Sequence, residues 1–267
     1  MRRLVLAALA CACLAGCSSG MFSSSAKSRT AEAQPEAVAP PKPRDARTRA
    51  KLHTELGAMY LSNKNLAVAL EELTIAIAID PDYAKAYSTR GVAGYYVREI
   101  ATADQDFQRA LRIDANDPEI NNNYGWFLCQ IGREQEGLPY FQRAIKNPLY
   151  ETPEKAYLNA GACYTRLGDL VKAEEYVQHS LRIAPDNLQG QLQLATINYQ
   201  LGHYDLARQQ LGEIFRRAEP SAEALWLMVR VERQLGDRKG EARYANQLRR
   251  QYPLAPETQE LLGGHFQ

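Results

Sequence analysis

The chain has little of several features on which enzymes and nucleic-acid-binding proteins depend. Its four histidines (His53, His179, His203, His265) are scattered without the spacing of metal ligands. It has no glycine-rich phosphate loop after a strand and no Gly-x-Ser-x-Gly motif. The 32 basic and 31 acidic side chains nearly cancel, whereas a nucleic-acid-binding protein needs a basic excess. We therefore expect no enzymatic activity, no metal or other cofactor and no nucleic-acid partner.

Long hydrophobic runs are also scarce, and the clearest one stands at the start of the chain. After the basic residues Arg2 and Arg3, about a dozen mostly apolar residues run up to Ala15, which is too few to cross a bilayer as a helix. A basic start, a short apolar run and small residues at its end are typical of a secretory signal. The small residues before Cys17 resemble a lipobox, which implies a signal peptide over 1–16, cleavage between Gly16 and Cys17, and lipid on Cys17. The alternative is an ordinary secreted protein in which Cys17 has no role.

Cysteine is sparse, and its positions limit the possible pairings. Of five cysteines, Cys11 and Cys13 lie in the signal peptide and Cys17 is the lipid anchor, so only Cys129 and Cys163 remain. In an oxidising compartment such a pair is a candidate disulfide, which would link neighbouring repeats of the array described below. The alternative is two free buried thiols.

Residues 17–48 have no hydrophobic periodicity. The segment is rich in serine at first and in alanine and proline later, and it cannot bury enough apolar surface to offset the entropy of ordering. We therefore expect a disordered tether that holds the folded part near a membrane.

A glycine recurs at a nearly fixed spacing from residue 57 to residue 161. Gly57, Gly91, Gly125 and Gly161 are 34, 34 and 36 residues apart, and such a period marks stacked supersecondary units. The large and small residues around each glycine follow the pattern of the tetratricopeptide repeat, a helix-turn-helix unit. The pattern predicts an all-α protein, with six tetratricopeptide repeats over 49–256 stacked as a right-handed superhelical solenoid, and a C-terminal tail at 257–267. Counted from seven residues before each glycine, the first four repeats span 50–83, 84–117, 118–151 and 154–187. Repeats 5 and 6, over 188–221 and 222–255, continue the pattern with Ala195 and Val229 at the place of the glycine.

Glycine and proline also predict where helices begin and end. A glycine stands between the two helices of repeats 3 to 6, where a left-handed conformation ends a helix (Gly132, Gly168, Gly202, Gly236). The pairs Asp80-Pro81, Asp117-Pro118 and Thr152-Pro153 predict an N-cap followed by a first-turn proline. Pro139 predicts that the second helix of repeat 3 starts late or bends.

Two strings go beyond the general repeat pattern. One is Asn121–Cys129 (NNNYGWFLC), and the other runs from Asn147-Pro148-Leu149-Tyr150 to Cys163. Together with the lipobox, the tether and the six repeats, they resemble the PilF/PilW family, outer-membrane lipoproteins of type IV pilus biogenesis. The resemblance implies a pilotin, which binds the pilus secretin, escorts it to the outer membrane and promotes its multimerisation. It also implies anchorage on the periplasmic face of the outer membrane. In some members the role is closer to stabilising pili, and the sequence does not separate the two roles.

The candidate partner-binding residues follow from the geometry of such arrays, in which the first helices line a concave surface. Val92, Tyr95, Asn122, Trp126 and Leu158 fall on that side. Aromatic side chains supply buried area and an amide bonds a partner's backbone, so the set suits a peptide groove. The alternative is that Trp126 packs between repeats as core.

Other tetratricopeptide proteins capture C-terminal carboxylates with a basic clamp. Thr54 and Ala58 occupy its Lys and Asn places in repeat 1, which disfavours that mechanism.

We expect a protein that is monomeric when free and binds the secretin. The alternative is a general periplasmic scaffold lipoprotein that serves peptidoglycan enzymes or another secretion system.

Overall fold

The computed structural model describes residues 45–266, and every regular element in that range is a helix. The signal peptide, Gly16, Cys17 and nearly all of the tether lie outside the described residues. No helix within 45–266 combines the length and the apolar character needed to cross a membrane. In chain order the helices are α1 (Ala46–Ser62), α2 (Leu66–Ile79), α3 (Ala84–Tyr96), α4 (Ile100–Ile113), α5 (Pro118–Gln130), α6 (Glu134–Lys146), α7 (Pro153–Arg166), α8 (Leu170–Ile183), α9 (Leu188–Gln200), α10 (Tyr204–Arg217), α11 (Ala222–Leu235), α12 (Arg238–Gln251) and α13 (Pro256–Gly263).

The first twelve helices form six consecutive pairs, which are the six predicted repeats. The two helices of each pair pack most closely on one another, and each pair then packs on the next. Such nearest-neighbour stacking buries a continuous core that one pair alone could not form. The prediction of an all-α tetratricopeptide solenoid is confirmed.

The recurring glycines make room for large side chains of the same repeat. A Cβ atom at Gly57 would lie 2.7 Å from Leu73, and one at Gly91 would lie 2.8 Å from Phe107. The same pairing recurs in the middle of the array between Gly125 and Phe141 and between Gly161 and Val177. All four large side chains are fully buried, so the close approach of the two helices is what closes the core of each repeat.

The turns inside the repeats are built as the glycines predict. Gly132, Gly168, Gly202 and Gly236 have φ between 76° and 81° and follow the first helix of their repeats. At the same place in repeats 1 and 2 the chain uses Lys64 and Arg98, with φ of 60° and 67°. The left-handed turn is therefore common to all six repeats, and two of them form it without glycine.

The expected N-cap at Asp80 and the expected late start of the second helix of repeat 3 are wrong. Asp80 is the C-cap of α2 rather than the N-cap of α3, and its carboxylate accepts a hydrogen bond from the Asp82 backbone in the turn between them. Helix α6 begins at Glu134 and runs through Pro139, so it does not start late. Asp117, in contrast, caps α5 as predicted, with hydrogen bonds of 2.9 Å from the first-turn amides.

The two ends of the array extend beyond the predicted boundaries. Helix α1 begins at Ala46, inside the predicted tether. The predicted C-terminal tail contains α13, which packs on α11 and α12 and covers the open side of repeat 6. Leu261 and Phe266 contact the core formed by Leu225, Trp226 and Leu248.

The helices form two layers with different packing. The first helices α1, α3, α5, α7, α9 and α11 each touch the next first helix in the row. Among the described residues, the backbones of the second helices approach the first helices on either side but not one another, and α12 also packs on α13. Side chains still bridge two second helices at Phe215 of α10 and Tyr244 of α12, whose ring centres are 5.8 Å apart. First helices therefore make the closed inner layer, and second helices make an outer layer with open grooves between them.

Candidate functional site

Three of the five predicted groove residues come together on the row of first helices. The rings of Tyr95 and Trp126 meet edge to face with centroids 5.0 Å apart, and Val92 packs against the same core. Tyr96 completes the group, 5.5 Å from Tyr95 and 5.9 Å from Trp126. We call Tyr95, Tyr96 and Trp126 the aromatic patch.

The aromatic patch is partly core and partly surface. Trp126 is half-buried and packs against two core clusters, one around Phe127 and one around Cys129. Trp126 is therefore both a core residue between repeats and a candidate binding residue, because its ring packs against two repeats and still has an accessible part. Tyr96 is 52% exposed, and the sequence reasoning missed it, although it directly follows Tyr95.

Asn122 lies beside the patch but is not free to bond a partner. It is only 5% exposed, and its Oδ1 accepts a 3.0 Å hydrogen bond from the Asn159 amide of α7. Its own amide donates to Asn123, which in turn donates to Ser88 of α3. These side chains form a chain of hydrogen bonds across α3, α5 and α7, which links three repeats. Its half-buried members, Asn123 and Asn159, are the ones a partner can reach.

Leu158 stands apart from the other predicted residues. It packs with Leu181 against the core formed by Tyr164 and Val177. Its side chain also approaches Gly190 of the next repeat, 3.6 Å from the place of a Cβ atom. Leu158 therefore contributes to packing between repeats 4 and 5, away from the aromatic patch.

A separate cavity of about 230 Å³ opens between α1, α3 and α5. Thr54 and Ala58 line it, so the two places of the carboxylate clamp do face a cavity, although with other side chains. The cavity's lysines have acidic neighbours: Lys51 lies 3.8 Å from Glu55, and Lys85 lies 3.6 Å from Glu119. A recess with balanced charge does not favour a carboxylate ligand.

The structure pairs Cys129 of α5 with Cys163 of α7. Their Cα atoms are 5.7 Å apart, a separation that suits a disulfide, and both residues are buried. Gly137 of α6 faces the pair, and a Cβ atom there would lie 2.9 Å from the Cys129 sulfur. The two cysteines thus join neighbouring first helices at the middle of the array.

Tyrosines with raised pKa values, and a half-buried ion pair, belong to the packing of the array. Burial, together with the hydrogen bond to Asp104, raises the pKa of Tyr124, whose hydroxyl donates to that carboxylate at 2.8 Å. Burial raises the pKa of Tyr150 to about 12. Arg90 holds Asp106 with two hydrogen bonds of 2.7 and 2.8 Å. Within residues 45–266, no three His, Cys, Asp or Glu side chains are placed to hold a metal ion.

Comparisons with known proteins give the family. Tetratricopeptide repeat models match residues 154–187 and 192–263. The type IV pilus assembly protein PilF of Pseudomonas aeruginosa is 30% identical over 208 residues, which cover 78% of this chain and 82% of that protein.

Solved structures agree with the sequence comparison. A crystal structure of PilW, described as a widely conserved type IV pilus biogenesis factor, is 30% identical with a TM-score of 0.74 and covers 80% of this chain and 98% of its own. A structure of Pseudomonas aeruginosa PilF is 28% identical with a TM-score of 0.69 and covers 82% and 99%. The chain belongs to the PilF/PilW family of tetratricopeptide-repeat proteins.

Proposed function

We propose that this chain is an outer-membrane lipoprotein that acts as a pilotin in type IV pilus biogenesis. It binds the pilus secretin through its repeat array and promotes secretin localisation and multimerisation. Family membership supports the link to pilus biogenesis, because PilF and PilW are named for it. The lipobox at Leu14–Cys17 supports anchorage through Cys17, with the remaining residues up to the array as a tether.

The aromatic patch is the observation that carries the partner-binding part of the proposal. Exposed aromatic side chains on a rigid scaffold are typical anchors of protein interfaces. Tyr96 is the most exposed aromatic residue among the described large hydrophobic side chains, and it contacts Trp126 on the next first helix. A partner segment that covers these rings gains apolar burial without ordering a loop.

The cellular role is tested by the state of the secretin in outer membranes of a deletion strain. We expect heat-resistant secretin multimers to disappear in the deletion and to return with the wild-type gene. With Cys17→Ala, the secretin should stay misplaced or monomeric, because the unlipidated protein cannot deliver it. Normal multimers with unstable pili would assign the protein to pilus stability instead. No change in either would favour a general scaffold.

The binding surface is tested separately with purified full-length protein. Tyr96→Ala should weaken binding of the secretin by about tenfold, as expected for an interface anchor. Val171→Ala is the matched control, because Val171 is a 73% exposed hydrophobic residue on the second helix α8. Equal affinities of the two variants would exclude the aromatic patch as the secretin site.

A further inference from the structure

The outer layer contains a groove that the proposed function does not use. It lies between the second helices α4 and α6, and its volume is about 610 Å³. The first helix α5 forms its floor with the buried side chains Tyr124 and Leu128. The walls and rim are formed by Gln108, Leu111, Arg112, Arg133, Glu136, Pro139, Tyr140 and Arg143. We call this recess the outer groove.

The charged side chains of the outer groove are mostly positive. Three arginines and one glutamate line it. Arg133 donates two hydrogen bonds of 2.8 and 2.6 Å to Glu136 and also lies 3.8 Å from Asp104 of α4, so its charge is compensated. Arg112 and Arg143 are exposed, and neither has an acidic partner among the described residues. Two positive charges therefore remain available to a ligand.

Arg143 is held in a position that suits recognition of a carboxylate. Its guanidinium lies over the ring of Tyr140, 4.9 Å from the ring centre. Stacking on a ring orients the guanidinium plane and leaves its edge for a bidentate hydrogen bond to a planar anion. The apolar surface beside it, from Leu111, Pro139 and Tyr140, can cover a hydrophobic side chain.

The next outer groove shows that this charge is not a general property of the fold. It lies between α6 and α8, and its lining contains one lysine, one glutamate and a histidine (Lys146, Glu175, His179). Its charges nearly balance. The neighbouring groove thus does not share the positive excess of the groove between repeats 2 and 3.

We propose that the outer groove binds an acidic segment of a protein partner. Carboxylates of the segment bond Arg112 and Arg143, and an apolar side chain enters the recess over Leu111 and Tyr140. A peptide is favoured over an anionic lipid surface because the binding features lie in a recess between two helices, which an extended chain can enter. The aromatic patch lies on the inner row of helices, so both surfaces can be occupied at once and the proposal stands independently of secretin binding.

The experiment measures binding of a fluorescein-labelled peptide of alternating glutamate and leucine to the purified full-length protein by fluorescence anisotropy. Arg143→Glu and Arg112→Glu should each weaken binding by about tenfold or more, because each reverses a charge that contacts the peptide. Arg182→Glu is the matched control: Arg182 stands in the last turn of α8, as Arg112 does in α4, but it does not line the groove. The control should change the affinity less than about twofold.

Three results would overturn the proposal. The first is equal weakening by Arg143→Glu and Arg182→Glu, which would mean general electrostatic attraction. The second is equal binding of a peptide with lysine in place of glutamate. The third is binding of phosphatidylglycerol vesicles, lost in Arg143→Glu, by a protein that does not bind the peptide, which would assign the groove to a membrane surface. The milder variant Arg143→Gln, checked by circular dichroism, separates lost binding from lost folding.

Discussion

Gly137 stands where the repeat pattern usually has alanine, and its neighbours explain the difference. A Cβ atom at this position would lie 2.7 Å from the Gly125 carbonyl oxygen and 2.9 Å from the Cys129 sulfur. The first contact is with backbone, which cannot move aside without displacing α5. The smaller residue thus accompanies the cysteine pair and lets α5 and α6 approach closely.

Substituting Gly137 should therefore reverse the usual effect of alanine in a helix. Glycine to alanine in a helix interior stabilises by about 1 kcal/mol when space is free. We expect Gly137→Ala to lower the free energy of unfolding by about 1–3 kcal/mol, as overpacking does. Gly212→Ala in α10 is the control, because nothing lies within 4 Å of its Cβ position, and it should raise stability. Urea unfolding that shows a gain for both variants would contradict the packing explanation.

Glu232 is a buried carboxylate in the last repeat. It is 1% exposed, and its Oε1 lies 3.2 Å from Arg208 of α10. Burial raises the pKa of Glu232 despite the opposing attraction of Arg208, and nearby Asp237 adds to the rise, whereas Arg243 opposes it. The charged form is therefore disfavoured in the folded state.

This raised pKa gives stability a definite pH dependence. Because the folded state binds the proton more tightly than the unfolded state, the contribution of Glu232 is fully present below the unfolded pKa and is lost as pH rises through the folded pKa. Relative to Glu232→Gln, the wild type should lose free energy of unfolding as the pH rises from about 4, the ordinary pKa of a glutamate carboxyl, through the higher pKa of the folded state. Urea unfolding across that range measures the difference. A difference that grows in favour of the wild type with pH would show that Arg208 dominates.

At the scale of elements, α13 closes the C-terminal end of the array. Leu261 packs on the core of repeat 6, whereas Leu262 on the same helix is 63% exposed. Leu261→Ala should lower the free energy of unfolding by about 1–2 kcal/mol through lost apolar burial. Leu262→Ala should change it by less than about 0.5 kcal/mol. Equal, small effects in urea unfolding would show that α13 does not stabilise repeat 6.

The sequence predicts a structural element correctly where a local residue pattern determines that element. The glycine spacing gives the first four repeats, because each of these glycines faces a large residue of its own repeat. Repeats 5 and 6 follow from the other large and small residues of the pattern. The N-cap at Asp117 is correct since Pro118 follows it at the start of a helix. The Asp80-Pro81 pair has the same two residue types, but the N-cap prediction is wrong there, because the chain makes a further turn before α3 begins at Ala84. Helix α13 lacks a repeat pattern, so only its packing on α11 reveals its role.

The binding surface was only partly predictable for a related reason. Counting repeat positions correctly puts Tyr95 and Trp126 on the same side of neighbouring first helices, where their rings are in contact. It does not tell which side chains bond each other across helices. Asn122 bonds Asn159 and so serves the array rather than a partner, and this pairing joins residues 37 positions apart. Long-range contacts of this kind require the relative placement of repeats, which the repeat pattern does not contain.

At the scale of the whole molecule, the array is a row of repeats that interact only with their neighbours. The cysteine pair joins repeats 3 and 4, at the middle of that row, over 34 residues of chain. In the chain-entropy model, a disulfide closing a loop of this length stabilises by about 3–4 kcal/mol. We expect Cys129 and Cys163 to form this disulfide in the mature protein. Thiol titration of denatured, unreduced protein that finds two free thiols besides any at position 17 would contradict it.

Reduction should then loosen the array locally rather than everywhere. Because stability in a repeat array is a sum of repeat and interface contributions, loss of the bond should affect repeats 3 and 4 first. Hydrogen exchange should speed up most in α5 to α8, and least in α1 and α2 and in α11 to α13. The double variant Cys129→Ala and Cys163→Ala is the control, and its exchange should not respond to reductant. An equal rise in exchange in all thirteen described helices would instead mean that residues 45–266 unfold as one cooperative unit, in which the central link supports both ends.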